Sequence, residues 1–227
     1  MLPWIHLATA STPDGALLRL LRRGNEFSIR LPDGNELMNS RLGASEEALA
    51  ILAVDCLTRR DAPRILIGGL GMGFTLRAAL AAVGTDAQLI VSEIVPELIA
   101  WSTEYMAEVF GNCLMDPRVE VKTGDVGDVI REATAAFDAI LLDVDNSPDG
   151  LTRAGNDALY GEAGLRAARR ALVPGGVLAV WSTAIDPEFS ERLSRCGFET
   201  SSTTVRATHS KRGARHIVWL AKRDLRH

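Results

Sequence analysis

Arg64-Ile65-Leu66-Ile67-Gly68-Gly69-Leu70-Gly71-Met72-Gly73-Phe74-Thr75-Leu76, followed by Leu89-Ile90-Val91-Ser92-Glu93, decides how this chain is read. An apolar run ends in glycines and opens onto a segment with helix-like spacing. A second apolar run then delivers one carboxylate, Glu93, twenty residues after Gly73. That order describes a βαβ pocket for a nucleoside. Glycines let backbone approach a ligand, the helix N-terminus faces it, and the acid receives ribose hydroxyls. A tight glycine turn also joins strand to helix in α/β proteins that hold no ligand there, so the position of Glu93 and the pattern that follows must carry the argument.

From Pro63 onward strands and helices alternate. The spacing predicts strands over Arg64 to Ile67, Gln88 to Ser92, Val119 to Lys122, Ala139 to Leu142 and Val177 to Trp181. Helices are predicted over Leu76 to Val83, Pro96 to Phe110 and Gly164 to Leu172, and Pro174-Gly175-Gly176 reads as a sharp stop before the fifth strand. Continuous apolar runs such as Ile140-Leu141-Leu142 suit parallel strands buried on both faces. Ser201 to Thr208 and His216 to Leu220, joined by Ser210-Lys211-Arg212-Gly213, read as a hairpin. The expected fold is therefore α/β and Rossmann-like, of the methyltransferase type: a mostly parallel seven-stranded sheet ending in an antiparallel hairpin.

Ahead of this lies a short β appendage, assigned to residues 1–44, with the nucleoside-binding domain over 45–227. Strand-like character begins near residue 15. Phe27-Ser28-Ile29-Arg30-Leu31 alternates, Pro32-Asp33-Gly34-Asn35 is a turn, and Glu36-Leu37-Met38 resumes. Ser45 begins a helix whose first turn holds Glu46 and Glu47, where acids suit the helix dipole, and whose Leu49, Leu52, Ala53 and Cys56 follow helical spacing.

The 227 residues suffice for one sizeable α/β domain with a small addition, and 47% hydrophobic with 24% charged residues is ordinary for a globular protein. A net charge of -4 argues against a broad nucleic-acid face. No apolar run approaches the roughly 20 residues of a membrane span, and no signal peptide is visible. Cys56, Cys113 and Cys196 are odd in number and lack metal spacing, which fits reduced thiols and a cytoplasmic location.

Gly69, Gly71 and Gly73 give GxGxG, whereas a dinucleotide fingerprint needs a small residue at position 74, which is Phe. A nucleoside without a pyrophosphate fits better, and S-adenosylmethionine has that form. Glu93 is expected to hold its ribose, a surface or capping acid being the alternative. Asp125, in Lys122-Thr123-Gly124-Asp125, stands where an acid can take the adenine amino group, cap the next helix, or do both. Leu142-Asp143-Val144-Asp145-Asn146-Ser147-Pro148-Asp149 lies at the carboxyl end of the fourth strand, where ligands of open α/β sheets bind. Asp143 comes first and is the candidate general base. Asp145 and Asp149 also read as members of a solvated acidic loop. Trp181 ends a strand beside the cleft and is a candidate for the acceptor pocket, while Trp101 and Trp219 read as core. The four histidines read as surface residues. The basic run Arg206, His209, Lys211, Arg212 and Arg215 reads as a solvated edge or a contact for an anionic substrate.

Gly68 to Leu76, Glu93, Asp116-Pro117-Arg118-Val119 leading to Gly124-Asp125, Asp143, and Tyr160 ahead of Ala171-Leu172-Val173-Pro174-Gly175-Gly176 resemble the spermidine synthase family over most of residues 40 to 182. The resemblance implies that Glu93 and Asp125 hold the nucleoside and that Asp143 occupies the place of the catalytic aspartate that deprotonates the attacking amine. It also implies a polyamine acceptor and a homodimer, and gives Asp145, Asn146 and Tyr160 places near the substrate. The chain departs from the family in three places. The GGGDGG loop, whose acid faces the aminopropyl amine, here carries no acid over Gly69 to Gly73. The second carboxylate of the DSxDP loop is Asn146. Where the family has a Tyr-His pair near the polyamine, this chain reads Ser45-Glu46-Glu47-Ala48-Leu49.

A turn without an acid suits a cofactor that keeps its carboxylate, so the expected reaction is methyl transfer from S-adenosylmethionine to a small-molecule N or O acceptor. The alternatives are aminopropyl transfer from decarboxylated S-adenosylmethionine and a non-catalytic nucleoside-binding protein. Asp143 and Asp145 also resemble the Mg²⁺-binding turn of catechol-type methyltransferases. The Asp-Asn pair that such enzymes carry after the fifth strand is Trp181-Ser182-Thr183 here, so no metal is expected.

Overall fold

A computed structural model describes residues 2–57, 61–144, 158–210 and 213–225. β1 (Ile5–Ser11), β2 (Leu17–Arg23), β3 (Glu26–Arg30) and β4 (Glu36–Asn39) make an antiparallel sheet in chain order. α1 (Ala44–Asp55) leads into β5 (Arg64–Gly68), α2 (Phe74–Ala82), β6 (Gln88–Glu93), α3 (Pro96–Glu104), α4 (Ala107–Phe110) and β7 (Val119–Thr123). There follow α5 (Val126–Glu132), β8 (Phe137–Leu142), α6 (Glu162–Ala171), β9 (Leu172–Ser182), α7 (Pro187–Arg195), β10 (Phe198–Arg206) and β11 (Arg215–Arg223).

The second sheet has seven strands in the order β10-β11-β9-β8-β5-β6-β7. β5 pairs parallel with β6 and β8, which in turn pair parallel with β7 and β9, while β11 and β10 close the far edge antiparallel. This is the expected α/β architecture. Successive side chains point to opposite faces, and both faces are covered. Ile65, Ile67, Val91, Leu141 and Ala179 join one apolar core with α1, α2 and α3, and Leu66, Ile90, Ile140, Leu142 and Val180 join a second with α5, α6 and α7. Leu18, Leu20, Phe27 and Ile29 of the N-terminal sheet belong to the first of these cores. Trp101 and Trp219 are buried as expected.

Several local expectations need correction. The N-terminal sheet begins at Ile5 rather than near residue 15, and β3 buries Phe27, Ser28 and Ile29 together instead of alternating. The helix predicted over Pro96 to Phe110 is two helices. The Trp101 carbonyl accepts from both the Tyr105 and Met106 amides at 3.0 Å, which widens the turn and ends α3. Pro174-Gly175-Gly176 does not precede the fifth strand but lies within it. The pairing jumps from Phe137↔Leu172 to Ala139↔Val177, and Gly175 takes a φ of 79°, so the segment bulges without ending β9. Ser45 does not cap α1: Gly43 holds the N-cap position, and Ser45 is buried within the first turn. The three cysteines are free thiols, two of them buried.

Gly69 leads the chain out of β5 past the end of its sheet neighbour β8. A Cβ built there would lie 2.5 Å from the carbonyl oxygen of Asp143, and its φ is 89°. Gly69→Ala is therefore expected to lose at least about 1–3 kcal/mol from backbone strain, read as a lower denaturation midpoint. Gly84→Ala, where a Cβ meets nothing within 4 Å, should stay within about 0.5 kcal/mol of the parent.

Candidate active site

The sheet order reverses at β5, whose chain neighbour β6 lies on one side while β8 lies on the other. Such a switch point opens a crevice beyond the carboxyl ends of the strands. A cavity of about 210 Å³ sits there. It is lined by Gly69, Gly71, Glu93, Asp125, Asp143 and Trp181 from the large sheet, by Glu46 from α1, and by Leu18, Leu31, Leu37 and Met38 from the N-terminal sheet. The sequence reading thus brings together its glycines, its three principal acids and its tryptophan. Gly73, the left-handed N-cap of α2, is not among the lining residues and acts one step back, shaping the turn.

Glu93 ends β6 and is 5% exposed, which rules out a surface acid. Its Oε2 accepts the Leu70 amide at 2.9 Å, and its Oε1 accepts the Val95 amide at 2.9 Å. One carboxylate therefore grips the glycine turn on one side and the start of α3 on the other. Burial pushes its carboxyl up, and the surrounding backbone amides pull the other way. The Ile94 and Gly71 amides also act on this carboxylate, so backbone donors surround it on the side of the turn and of α3. Asp125 caps α5 by accepting the Gly127 amide at 2.7 Å on Oδ1. The cap and the place in the cavity wall coexist, as the sequence allowed.

Asp143 follows β8 directly. Its amide donates to the Gly68 carbonyl at 3.0 Å, and its Oδ2 accepts the Thr75 hydroxyl at 2.8 Å. Burial raises the Asp143 carboxyl to about 6. Near it stands Glu46, whose backbone carbonyl lies 3.4 Å from the same Thr75 hydroxyl and whose carboxyl is raised to about 7 by burial first and by the Asp143 charge second. The Ser45 hydroxyl lies 2.5 Å from Glu46 Oε2, and His216 Nδ1 lies 2.8 Å from Ser45 Oγ. His216 also stands edge-on to Trp181, with ring centroids 4.7 Å apart. Burial lowers its pKa. His216 is thus no surface residue: it backs the cavity wall from β11.

These groups divide the cavity. Glu93 and Asp125 stand at the β6–β7 side, whereas Glu46, Trp181 and the supporting His216 stand toward β9 and β11. Asp143, at the end of β8, lies between them.

Other candidates fall elsewhere. Tyr160 is buried in the second core against Phe189, at 5.8 Å between rings, and does not line the cavity. Asp145, Asn146, Asp149, Lys211, Arg212 and His227 lie outside the described residues. His209 pairs with Glu47 at 3.2 Å and Arg206 with the Gly213 carbonyl at 3.5 Å, and neither lines the cavity. No helix among the described residues is long and apolar enough to cross a membrane.

Glu46, Ser45, Thr75 and His216 were missed as site residues. Glu46 did carry a signal: it stands three and four residues before the buried Leu49 and Ala50, in line with the apolar stripe of α1. An acid in register with a core-facing stripe calls for a partner.

The family model for the spermine/spermidine synthase domain matches residues 47–195, well over half of the chain. Among solved structures, a spermidine synthase in complex with the transition-state analogue AdoDATO matches with a TM-score of 0.72 at 19% identity, covering 95% of this chain and 72% of that one. A spermidine synthase from Thermotoga maritima gives 0.71 at 19% identity with the same coverage, and a probable spermidine synthase from Corynebacterium glutamicum gives 0.64 at 19%, covering 95% and 79%. No curated protein sequence gave a significant match. The family match overturns the expectation of methyl transfer. Its premise, a glycine turn without an acid, still holds over Gly69 to Gly73; the carboxylate that Glu46 brings to the cavity comes from α1, on the other side of Asp143. The chain belongs to the spermine/spermidine synthase family.

Proposed function

We propose that this protein transfers an aminopropyl group from decarboxylated S-adenosylmethionine to an amine. One observation carries the reading. Among its described lining residues the cavity presents four carboxylates, Glu46, Glu93, Asp125 and Asp143, and no lysine, arginine or histidine. A donor and acceptor that are both cationic find counter-charges there, whereas the carboxylate of a donor that keeps it meets only like charge. The fit to the donor is otherwise one of shape and hydrogen bonding. Glu93 presents its carboxylate to a ribose, Asp125 to an adenine amino group, and the backbone at Gly69 and Gly71 leaves room for the chain that carries the sulfonium.

The donor supplies an electrophilic propyl carbon: the amine lone pair forms the new C–N bond, the C–S electron pair returns to sulfur, and 5′-methylthioadenosine leaves. The residues of this chain position the partners and move one proton. Asp143, at the boundary between the two halves of the cavity, takes the proton that the amine loses. Thr75 fixes the direction of its carboxylate, leaving Oδ1 for the amine. Orientation of this kind supplies roughly 7–11 kcal/mol of such a barrier, which leaves the base a smaller share.

Three outcomes follow. In calorimetric titrations the decarboxylated donor should bind at least about tenfold more tightly than S-adenosylmethionine, about 1.4 kcal/mol, and the reverse preference would overturn the proposal. Glu93→Ala should weaken 5′-methylthioadenosine binding by one to two orders of magnitude, since hydrogen bonds to a charged group contribute about 1.5–3 kcal/mol. It also strips the Leu70 and Val95 amides of their acceptor, so its denaturation midpoint should drop as well. Asp143→Asn should lower the rate of amine-dependent 5′-methylthioadenosine formation by about 10²–10⁴ while nucleoside binding persists. The ionised carboxylate is the active form and its carboxyl is raised to about 6, so kcat/KM of the parent should fall as pH drops through about 6, rather than through the ordinary aspartate value near 4.

A further inference from the structure

We infer that Glu46 and Asp143 together form the seat of the acceptor's ammonium group, with Glu46 aimed at it by a clamp of Ser45 and His216. The inference rests on the amine-transferase reading and adds to it the group that recognises the acceptor.

The geometry of α1 comes first. Its buried stripe runs Ser45, Leu49, Ala50, Ala53 and Val54, and Glu46 borders it at the end that meets the cavity. An acid at that place is drawn out of water, and nothing cationic among the described lining residues pairs with it. The groups facing it are Asp143 from the end of β8, Glu47 on its own helix, and His216 of β11 through Ser45. His209 is turned to Glu47. The residues that the N-terminal sheet presents to the cavity carry no charge. Two carboxylates without a counter-ion, facing one enclosed space, are arranged for a cation that arrives with a ligand.

The clamp follows from counting protons. A serine hydroxyl has one hydrogen, and the 2.5 Å separation from Glu46 Oε2 assigns that hydrogen to the carboxylate. With Glu46 ionised, Ser45 Oγ is then the acceptor for a His216 ring that carries its proton on Nδ1; with the pair's proton on Glu46, both bonds can reverse. The ring is pinned in turn against Trp181. A chain of three side chains from two distant segments thus fixes one carboxylate.

A second, independent feature marks the same corner as a place for a ligand. The Trp181 indole nitrogen is enclosed and has no hydrogen-bond partner among the described residues, while the side chain is 7% exposed and lines the cavity. Buried donors are nearly always paired; the indole N–H can only donate, so what completes it is an acceptor atom of the ligand, such as the lone pair of a neutral amine nitrogen, and not an ammonium. The ring itself offers a π face to an ammonium. In the absence of amine the Glu46–Asp143 pair holds a proton near neutral pH, since burial and mutual repulsion lift both carboxyls. An entering ammonium displaces that proton.

The test is binding, read separately from turnover. Protein saturated with 5′-methylthioadenosine is titrated calorimetrically with short alkyl diamines at neutral pH, in buffers of differing ionisation enthalpy. The parent should bind a diamine and release a proton. Glu46→Gln, which keeps the size of the side chain, should bind about tenfold or more weakly and release less, and Glu46→Asp should restore part of both. His216→Ala should reduce affinity by a smaller factor and shift the pH dependence of binding, which loss of packing alone would not do. A Glu46→Gln protein that binds diamine with parental affinity and proton release overturns the inference, as does a parent protein that binds no diamine. Glu46-dependent amine binding without any 5′-methylthioadenosine formation on addition of the decarboxylated donor would instead sink the transfer reaction and leave the ammonium seat standing.

Discussion

The approach of the Gly69 backbone to the carbonyl of Asp143 is the constraint on which the site depends. β5 and β8 are neighbours, and the turn leaving one must pass the loop leaving the other with no side chain between them. The Asp143 amide closes the junction by donating to the Gly68 carbonyl. Because that separation is set by backbone, Thr75 in the first turn of α2 reaches Asp143 and fixes its carboxylate. Any side chain at position 69 pushes these two strand ends apart and with them the boundary between the halves of the cavity.

Glu93 applies the same economy on the other side. Its two oxygens tie the glycine turn to the entry of α3, and the Gly69 amide and Ser92 hydroxyl extend the join by bonding the Ser92 and Gly124 carbonyls. The turn therefore does not wait for a ligand to order it. A residue that acts as a structural clamp and also as a candidate ligand has little freedom to change, since truncation exposes two amides that burial makes costly to leave unpaired.

The sequence made legible what local patterning controls. The βα alternation, the sheet with its antiparallel edge, and the placing of Gly69, Gly71, Glu93, Asp125, Asp143 and Trp181 around one crevice all follow from apolar runs that end at the same edge of a sheet. What escaped was set by tertiary contact. Pro174-Gly175-Gly176 has the composition of a stop, yet pairing with β8 on both sides carries the strand through it. The bifurcated Trp101 carbonyl that divides α3 from α4 leaves no compositional mark. The dipole argument gives Glu46 only a place at a helix start, because it depends on distance from the terminus and ignores which face an acid occupies. His216 lies 171 residues from Ser45, and no spacing rule connects them.

The position of Glu46 changes how acidity in the cavity is to be understood. An acid on the glycine turn would sit on rigid backbone beside the donor, whereas α1 packs toward β8, β9 and β11 and delivers its carboxylate to the opposite half. In the proposed reaction the added negative charge therefore lies on the acceptor side of Asp143 and not on the glycine turn. The electrostatic demand of the cavity as a whole remains cationic, but the strongest anchoring of a cation moves to the amine that attacks. Gly71 remains open, since a Cβ there would meet only the Met38 sulfur at 3.9 Å. On that reading the donor is held chiefly by its nucleoside, through Glu93 and Asp125. Charge recognition falls to Glu46 and Asp143, and discrimination between acceptors depends on how far the cationic groups of an amine stand from the one bound at that seat.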